Sequence, residues 1–117
     1  MIKLMKSDLK ALENALLNKR WNLWIKIGKY GEIYFRRTQR KLEDEIVSCL
    51  DVATSNIKEK YRGQKIYTQV MDYIEKNARV ECIYHENVLN EQLSEFLVKA
   101  GNKPDGTPNC YYHFIGK

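Results

Sequence analysis

The stretch from Cys49 to Glu75, CLDVATSNIKEKYRGQKIYTQVMDYIE, constrains the fold more than any other part of the chain. An apolar run ends in a polar turn carrying Arg62-Gly63, and an amphipathic helix follows at once. The order it spells is strand, phosphate-sized loop, helix. A helix start offers backbone N–H groups without intrahelical acceptors, at the positive end of the helix dipole. Both features suit a bound pyrophosphate.

The remaining segments read as scaffolding around that junction. Residues 2–5 form an edge strand or an N-terminal arm. Ser7 reads as the N-cap of a helix ending near Asn18, with Leu9, Leu12, Leu16 and Leu17 on one face. Residues 21–27 alternate, with Trp21, Leu23, Ile25 and Ile27 pointing one way and Trp24 the other. A GKYG turn and residues 32–37, with Ile33 and Phe35 on one face, complete a hairpin with one wet side. Residues 38–45 read as a polar connection, and 46–57 as a third strand with a bulge or bend among residues 53–56. A central helix over 63–77 shows an apolar stripe of Ile66, Val70, Tyr73 and Ile74. Residues 79–84, RVECIY, form a short buried strand, so this part is a βαβ-like unit with two parallel strands. Residues 87–100 give a last helix with Leu89, Leu93, Phe96, Leu97 and Ala100 inward and Gly101 as its C-cap. A loop holding both prolines follows, and residues 110–115 close the chain as a strand.

The predicted order is helix, three antiparallel strands, helix, strand, helix, strand. It defines a mixed α+β/α/β fold with a central mixed sheet flanked by helices. At 117 residues the chain fits a single domain. Its 44% hydrophobic and 30% charged residues are the balance of a globular protein. No apolar run reaches the roughly 18–20 residues of a membrane span, and the N-terminus has no apolar signal core. Three cysteines without a C-x-x-C pair fit a reducing cytoplasm.

The net charge of +5 suits an anionic cofactor as well as nucleic acid. Its densest cluster, Arg36, Arg37, Arg40 and Lys41, reads as a solvated loop beside Glu43, Asp44 and Glu45, so nucleic acid ranks last among partners. Asp51 lies inside an apolar strand and reads as part of its wet face. Cys49 and Cys82 read as small buried hydrophobes, and His85, His113 and Cys110 have no zinc spacing.

Two stretches carry a resemblance to the GNAT-type N-acetyltransferase superfamily. Arg62-Gly63-Gln64-Lys65-Ile66-Tyr67 is similar to the family loop Q/R-x-x-G-x-G/A, and Asn87–Gly101 is similar to its later Asn-started helix. Asn90, Leu93, Phe96 and Gly101 sit at that motif's offsets. The wording ENVLNEQLSEFL is also similar to GNAT-like proteins of bacteriophages. The resemblance covers nearly the whole chain. It implies acetyl-coenzyme A in the cleft between the third and fourth strands. Arg62, Gly63, Gln64, Lys65, Ile66, Tyr67 and Thr68 would surround its pyrophosphate. Asn90 would hold its pantetheine arm, and a backbone N–H near Ile57 would face the thioester carbonyl.

The chain departs from the family pattern at three places. Lys65 and Tyr67 stand where loop glycines are usual. Lys65 supplies charge there, while Tyr67 points away, stacks on the cofactor or plugs the site. Leu97 stands where many members have a tyrosine as general acid, so a substitute must come from Tyr84, His85, Tyr111 or Tyr112. His85, between a strand and a helix, has the position of a surface hydrogen-bonder. Asp51, Glu86 and His85 are candidate bases.

The leading expectation is therefore an acetyl-coenzyme-A-dependent N-acyltransferase acting on an amine. The alternative is a GNAT-fold protein without catalysis that binds a protein partner, as a phage inhibitor of a host or defence protein would. The first requires an open cleft between two splayed strands, with Tyr67 swung out. The second requires a filled one and an exposed apolar patch around Trp21 or Trp24.

Overall fold

The computed structural model describes residues 2–18, 22–88 and 91–115, with Leu17 and Asn18 described through their backbone alone. The expectations for Trp21, Leu89 and Asn90, and for the Leu17 side chain, lie outside the described residues. The elements are α1 (Lys6–Asn18), β1 (Asn22–Lys26), β2 (Gly31–Leu42), β3 (Glu45–Ile57), a 3-10 turn (Glu59–Tyr61), α2 (Ile66–Asn77), β4 (Cys82–His85), α3 (Glu91–Lys99), β5 (Lys103–Pro104) and β6 (Tyr111–Phe114). They form one six-stranded sheet in the order β1-β2-β3-β4-β6-β5. The mixed sheet flanked by helices is the architecture the sequence predicts. As expected, β1, β2 and β3 form an antiparallel meander, and β3 and β4 run parallel.

Several boundaries differ from the sequence reading. Residues 2–5 are an arm, tied to α2 by Gln69. The Leu4 N–H donates to Gln69 Oε1 at 2.8 Å, and Gln69 Nε2 donates to the Ile2 carbonyl at 2.6 Å. Ser7 is inside α1 and does not cap it. Asp8 instead reaches back to accept from the Met5 N–H at 2.9 Å. The predicted polar connection over 38–45 is mostly strand, because β2 runs on to Leu42 and returns through Glu43-Asp44. Both turn residues have positive φ (50° and 65°), which matches the twist of a tight hairpin. Glu43 is anchored there by the Tyr112 hydroxyl at 2.8 Å and Lys103 Nζ at 3.3 Å. The bulge in β3 falls at Ala53: Tyr34 pairs with Thr54 while Phe35 pairs with Val52.

The helices share one face of the sheet. Leu12 and Ala15 of α1 and Ile66, Val70, Met71 and Ile74 of α2 meet Ile25, Ile27, Ile33, Phe35, Leu50, Val52 and Ile83 in one core. Each fully buried aliphatic side chain there contributes about 1.5–3 kcal/mol. On the same side, Ser94 of α3 meets the Tyr111 hydroxyl, and Tyr111 is the ladder partner of His85. Only Leu97 of α3 is deeply buried. Phe96 and Ala100, expected inward, are exposed. Gly101 closes α3 as predicted, at φ +97°, with the Asn102 N–H donating to the Leu97 carbonyl at 2.9 Å.

The opposite face carries a second, smaller core without a helical residue: Leu42, Val47, Cys49, Cys82, Tyr84, Cys110 and Tyr112. Cys49 and Cys82 are buried, as expected, directly across the β3–β4 ladder. Beside this core the basic cluster proves to be strand, not loop. Asp51, read as wet, is fully buried (0% exposed). It accepts from Thr38 Oγ1 at 2.8 Å and from Arg40 at 2.6 Å, and the Arg40 guanidinium lies 3.8 Å over the Tyr84 ring. Arg36 and Arg40 both approach Glu86. The strand's alternation turns these charges inward onto a helix-free face, where each finds a partner. Removing the acid leaves Arg40 with only the more distant Glu86 carboxylate, 3.7 Å away. Asp51→Ala is therefore expected to cost about 3 kcal/mol in urea-induced unfolding.

Candidate functional site

Strands β3 and β4 hold together for four rungs, from Cys49/Cys82 to Val52/His85, and the Glu86 N–H adds a last bond to the Val52 carbonyl at 3.1 Å. They then part. The Ala53 bulge bends β3, while Asn87, in the left-handed region at φ 53°, turns the other chain away, and the Val88 N–H donates to the Asn109 carbonyl at 2.7 Å. Asn87 thus opens the gap and does not start the last helix, which is assigned from Glu91. In the gap lies a cavity of about 240 Å³ lined by Val52, Ala53, Thr54, Ser55, Tyr67, His85, Glu86 and Leu93 among others.

A larger cleft of about 460 Å³ lies beside it, bounded by Ile57, Tyr61, Arg62, Gly63, Lys65, Ile66, Thr68, Gln92 and Phe96. Ser55, Tyr67 and Leu93 line both spaces and form the wall they share; Tyr67 is therefore not swung out but turned into the site, toward His85. The loop that enters the cleft is shaped by two positive φ values, 80° at Gly63 and 60° at Lys65. A Cβ at Gly63 would touch nothing within 4 Å, so the backbone angle alone explains that glycine. Lys65 is the N-cap of α2 and makes no side-chain capping bond, and the first turn of α2 holds no acidic residue. The first intrahelical bond is the Gln69 N–H to the Lys65 carbonyl at 3.1 Å. The amides before it have no intrahelical acceptor. An uncapped helix start with a lysine beside it, open on a cleft, can hold an anion.

The predicted site residues divide. Arg62, Gly63, Lys65, Ile66, Tyr67 and Thr68 line the cleft, while Gln64 does not figure in its wall. Arg62 Nε donates to the Ile57 carbonyl at 3.0 Å, bracing the loop against the end of β3. Ile57 borders the larger cleft. The part of β3 bared at the gap is Ala53–Ser55, which the sequence reading recognised as a bulge without assigning it to the site. His85 is not on the surface. It is the last residue of β4, 3% exposed, and its Nδ1 lies 2.9 Å from the Tyr67 hydroxyl. Burial, with a smaller contribution from His113, holds His85 down at about 4, so its ring is neutral at pH 7. Burial raises Tyr67 well above the ordinary phenol range, keeping it protonated.

Tyr84 is brought elsewhere. Its side chain belongs to the helix-free face, where the hydroxyl donates to Asp105 beneath Arg40. Tyr112 points to that same face and reaches Glu43, while Tyr111 meets Ser94. Glu86 borders the gap with its carboxylate turned to Arg36 and Arg40. No group of acidic, histidine and cysteine side chains able to hold a metal occurs among the described residues. No described helix is long and apolar enough to cross a membrane.

A mixed sheet whose parallel central strands splay beside a loop-to-helix junction defines the GNAT-like class of fold. Solved structures agree. A tyrosine-to-phenylalanine mutant of the toxin AtaT, bound to acetyl-CoA and the C-terminus of the antitoxin AtaR, superposes with a TM-score of 0.59 at 13% identity, over 73% of this chain and 58% of that one. A mutant of KacT superposes with a TM-score of 0.56 at 13% identity over 90% and 82%. The KacTA–DNA complex gives 0.56 at 14% identity over 73% and 58%. The chain thus spans little more than half the length of the AtaT structure. At these identities the likeness is one of fold. No family model and no curated relative matches the chain.

The buried pair makes a prediction about pH. Between the ordinary histidine value of about 6.5 and the folded value near 4, the unfolded chain takes up a proton that the folded chain refuses. Stability therefore falls as pH drops through that window, by about 3 kcal/mol from His85 alone at pH 4. In urea unfolding followed from pH 7 to pH 4, His85→Asn is expected to show a correspondingly shallower decline than the wild type.

Proposed function

We propose that the protein is an acetyl-coenzyme-A-dependent N-acyltransferase acting on an amine. The observation that carries this reading is a cleft at the uncapped start of α2 beside the gap between β3 and β4, the two spaces sharing Ser55, Tyr67 and Leu93 as walls. The residues fit the cofactor: amides and a lysine for its pyrophosphate, a long cleft for its arm, and a bared strand edge at the gap. The acetyl-CoA complex of the similarly folded AtaT supports the same choice.

The coenzyme supplies an acyl group activated as a thioester. This chain's residues bind and orient. Arg62 and Lys65 place positive charge beside the first turn of α2, and Thr68 lines the same wall. The bared edge of β3 at Ala53–Ser55 presents backbone donors where an acyl oxygen would gain charge. Tyr61, Leu93 and Phe96 give the cleft apolar walls against which the arm would lie. Positioning within the gap provides the proximity on which direct transfer depends. The acceptor amine would enter the gap beside Glu86.

Millimolar acetyl-CoA is expected to raise the thermal midpoint by several degrees, since saturation at about a hundred times the dissociation constant stabilises by about 2.7 kcal/mol. Adenosine diphosphate, lacking the pantetheine arm, should give less. Lys65→Glu sets a negative charge against the pyrophosphate and is expected to weaken acetyl-CoA about tenfold by calorimetry, a loss of about 1.4 kcal/mol.

A second reading, a fold retained to bind a protein, draws on one observation. Trp24 is 53% exposed and packs against Tyr34 on the helix-free face, their rings 4.9 Å apart. That AtaT is seen with a segment of its antitoxin supports a protein partner in general terms. This reading gains if acetyl-CoA leaves the thermal midpoint unmoved.

A further inference from the structure

Tyr67 lines both spaces, and its phenol is hydrogen-bonded to a buried histidine at the gap. Within the acetyltransferase reading, on which this inference rests, a pantetheine arm running from the α2 start to the gap would pass Tyr67 as its sulfur reached the acyl acceptor. We propose that the Tyr67 hydroxyl is the proton donor to the departing thiolate, with His85 as the positioning residue that fixes it.

The alternatives are excluded by place or chemistry. Leu97 holds no proton to give, and it is buried. The Tyr84 and Tyr112 hydroxyls are committed to Asp105 and Glu43 on the far side of the sheet, and Tyr111, paired with Ser94, lines neither space. Thr54 and Ser55 border the gap, but alcohols are far weaker acids than a phenol. Glu86 is occupied by two arginines. Asn87 and the neutral His85 ring are poor donors of a proton.

The step balances. The amine nitrogen forms its bond to the acyl carbon, the carbon–sulfur bond breaks, and its electron pair stays on sulfur. The Tyr67 Oη proton moves to that sulfur, and the phenolate oxygen takes the proton shed by the nitrogen. Amine and thioester become amide and thiol, and Tyr67 is restored. In the tautomer with hydrogen on Nδ1, His85 donates to the Tyr67 oxygen. That arrangement points the phenol proton into the gap and stabilises the transient phenolate.

The test reads the contact with sulfur directly. Coenzyme A and desulfo-coenzyme A are titrated by calorimetry into the wild type and Tyr67→Phe at pH 9.5, where a free thiol is largely ionised. The preference for coenzyme A over its desulfo analogue is expected to fall about tenfold in Tyr67→Phe, while the affinity for the desulfo compound stays within twofold. His85→Asn, whose amide can occupy the Nδ1 position, is expected to keep most of the preference, and His85→Leu to lose it. In thiol-release assays with acetyl-CoA, Tyr67→Phe is expected to lower turnover by about 10²- to 10⁴-fold without weakening acetyl-CoA binding. A Tyr67→Phe protein that keeps either the sulfur preference or the turnover overturns the assignment, as does an equal turnover loss in Tyr84→Phe. A wild type that binds neither coenzyme A nor acetyl-CoA overturns the acetyltransferase reading itself, and the assignment with it.

Discussion

The structure depends on how briefly two parallel strands stay together. β3 continues for five residues beyond its last ladder partner in β4: Ala53 is bulged out of the ladder, and Thr54–Ile57 pair only with β2. A sheet that stayed closed would have no interior opening, because its backbone groups would satisfy one another. Here the extra residue at Ala53 and the left-handed Asn87 end the ladder from both sides. The start of α2 is brought to the same place because the crossover from β3 to β4 must pass over the sheet. Gap, loop and helix terminus are consequences of one topology.

Placing every described helix on one face raises the question of what shields the other. Part of the answer is the long β2–β3 hairpin, whose Leu42 and Val47 join the core around Cys49, Cys82 and Tyr112. The rest is electrostatic. Asp51, Arg40, Thr38, Arg36 and Glu86 form a connected set in which a fully buried carboxylate keeps its charge partner. Such a set is poorer than hydrocarbon as a source of stability, but it is intolerant of losing one member. It also borders the gap through Glu86, so the integrity of this face bears on the cleft.

The sequence made the element order legible except for β5, which lies in the stretch read as a proline-bearing loop, together with the parallel pairing, the β3 bulge, the α2 stripe and the Gly101 cap, because each rests on local periodicity or backbone conformation. The polar letters of residues 38–45 concealed a strand, since a charged residue facing inward looks like a loop residue until its partner is known. Asp51 and His85 were misplaced for the same reason: their surroundings come from Arg40 and Tyr67, distant in sequence. For the loop, the resemblance drew attention to Lys65 and Tyr67 as departures. It took the fold to show that one is an uncapped helix start and the other faces a buried imidazole.

Gln69 carries a consequence for folding order. Its side chain grips the arm at Ile2 and Leu4, 67 and 65 residues away in sequence, and its own amide closes the first turn of α2 on Lys65. Local turns and hairpins close quickly, whereas a contact across so long a stretch bears the entropy of a large loop. The helix that faces the cleft can form early from its own residues. Its first turn acquires the last of its restraints only when the opposite end of the chain returns to it, so the geometry of the cleft mouth is among the latest features to be set.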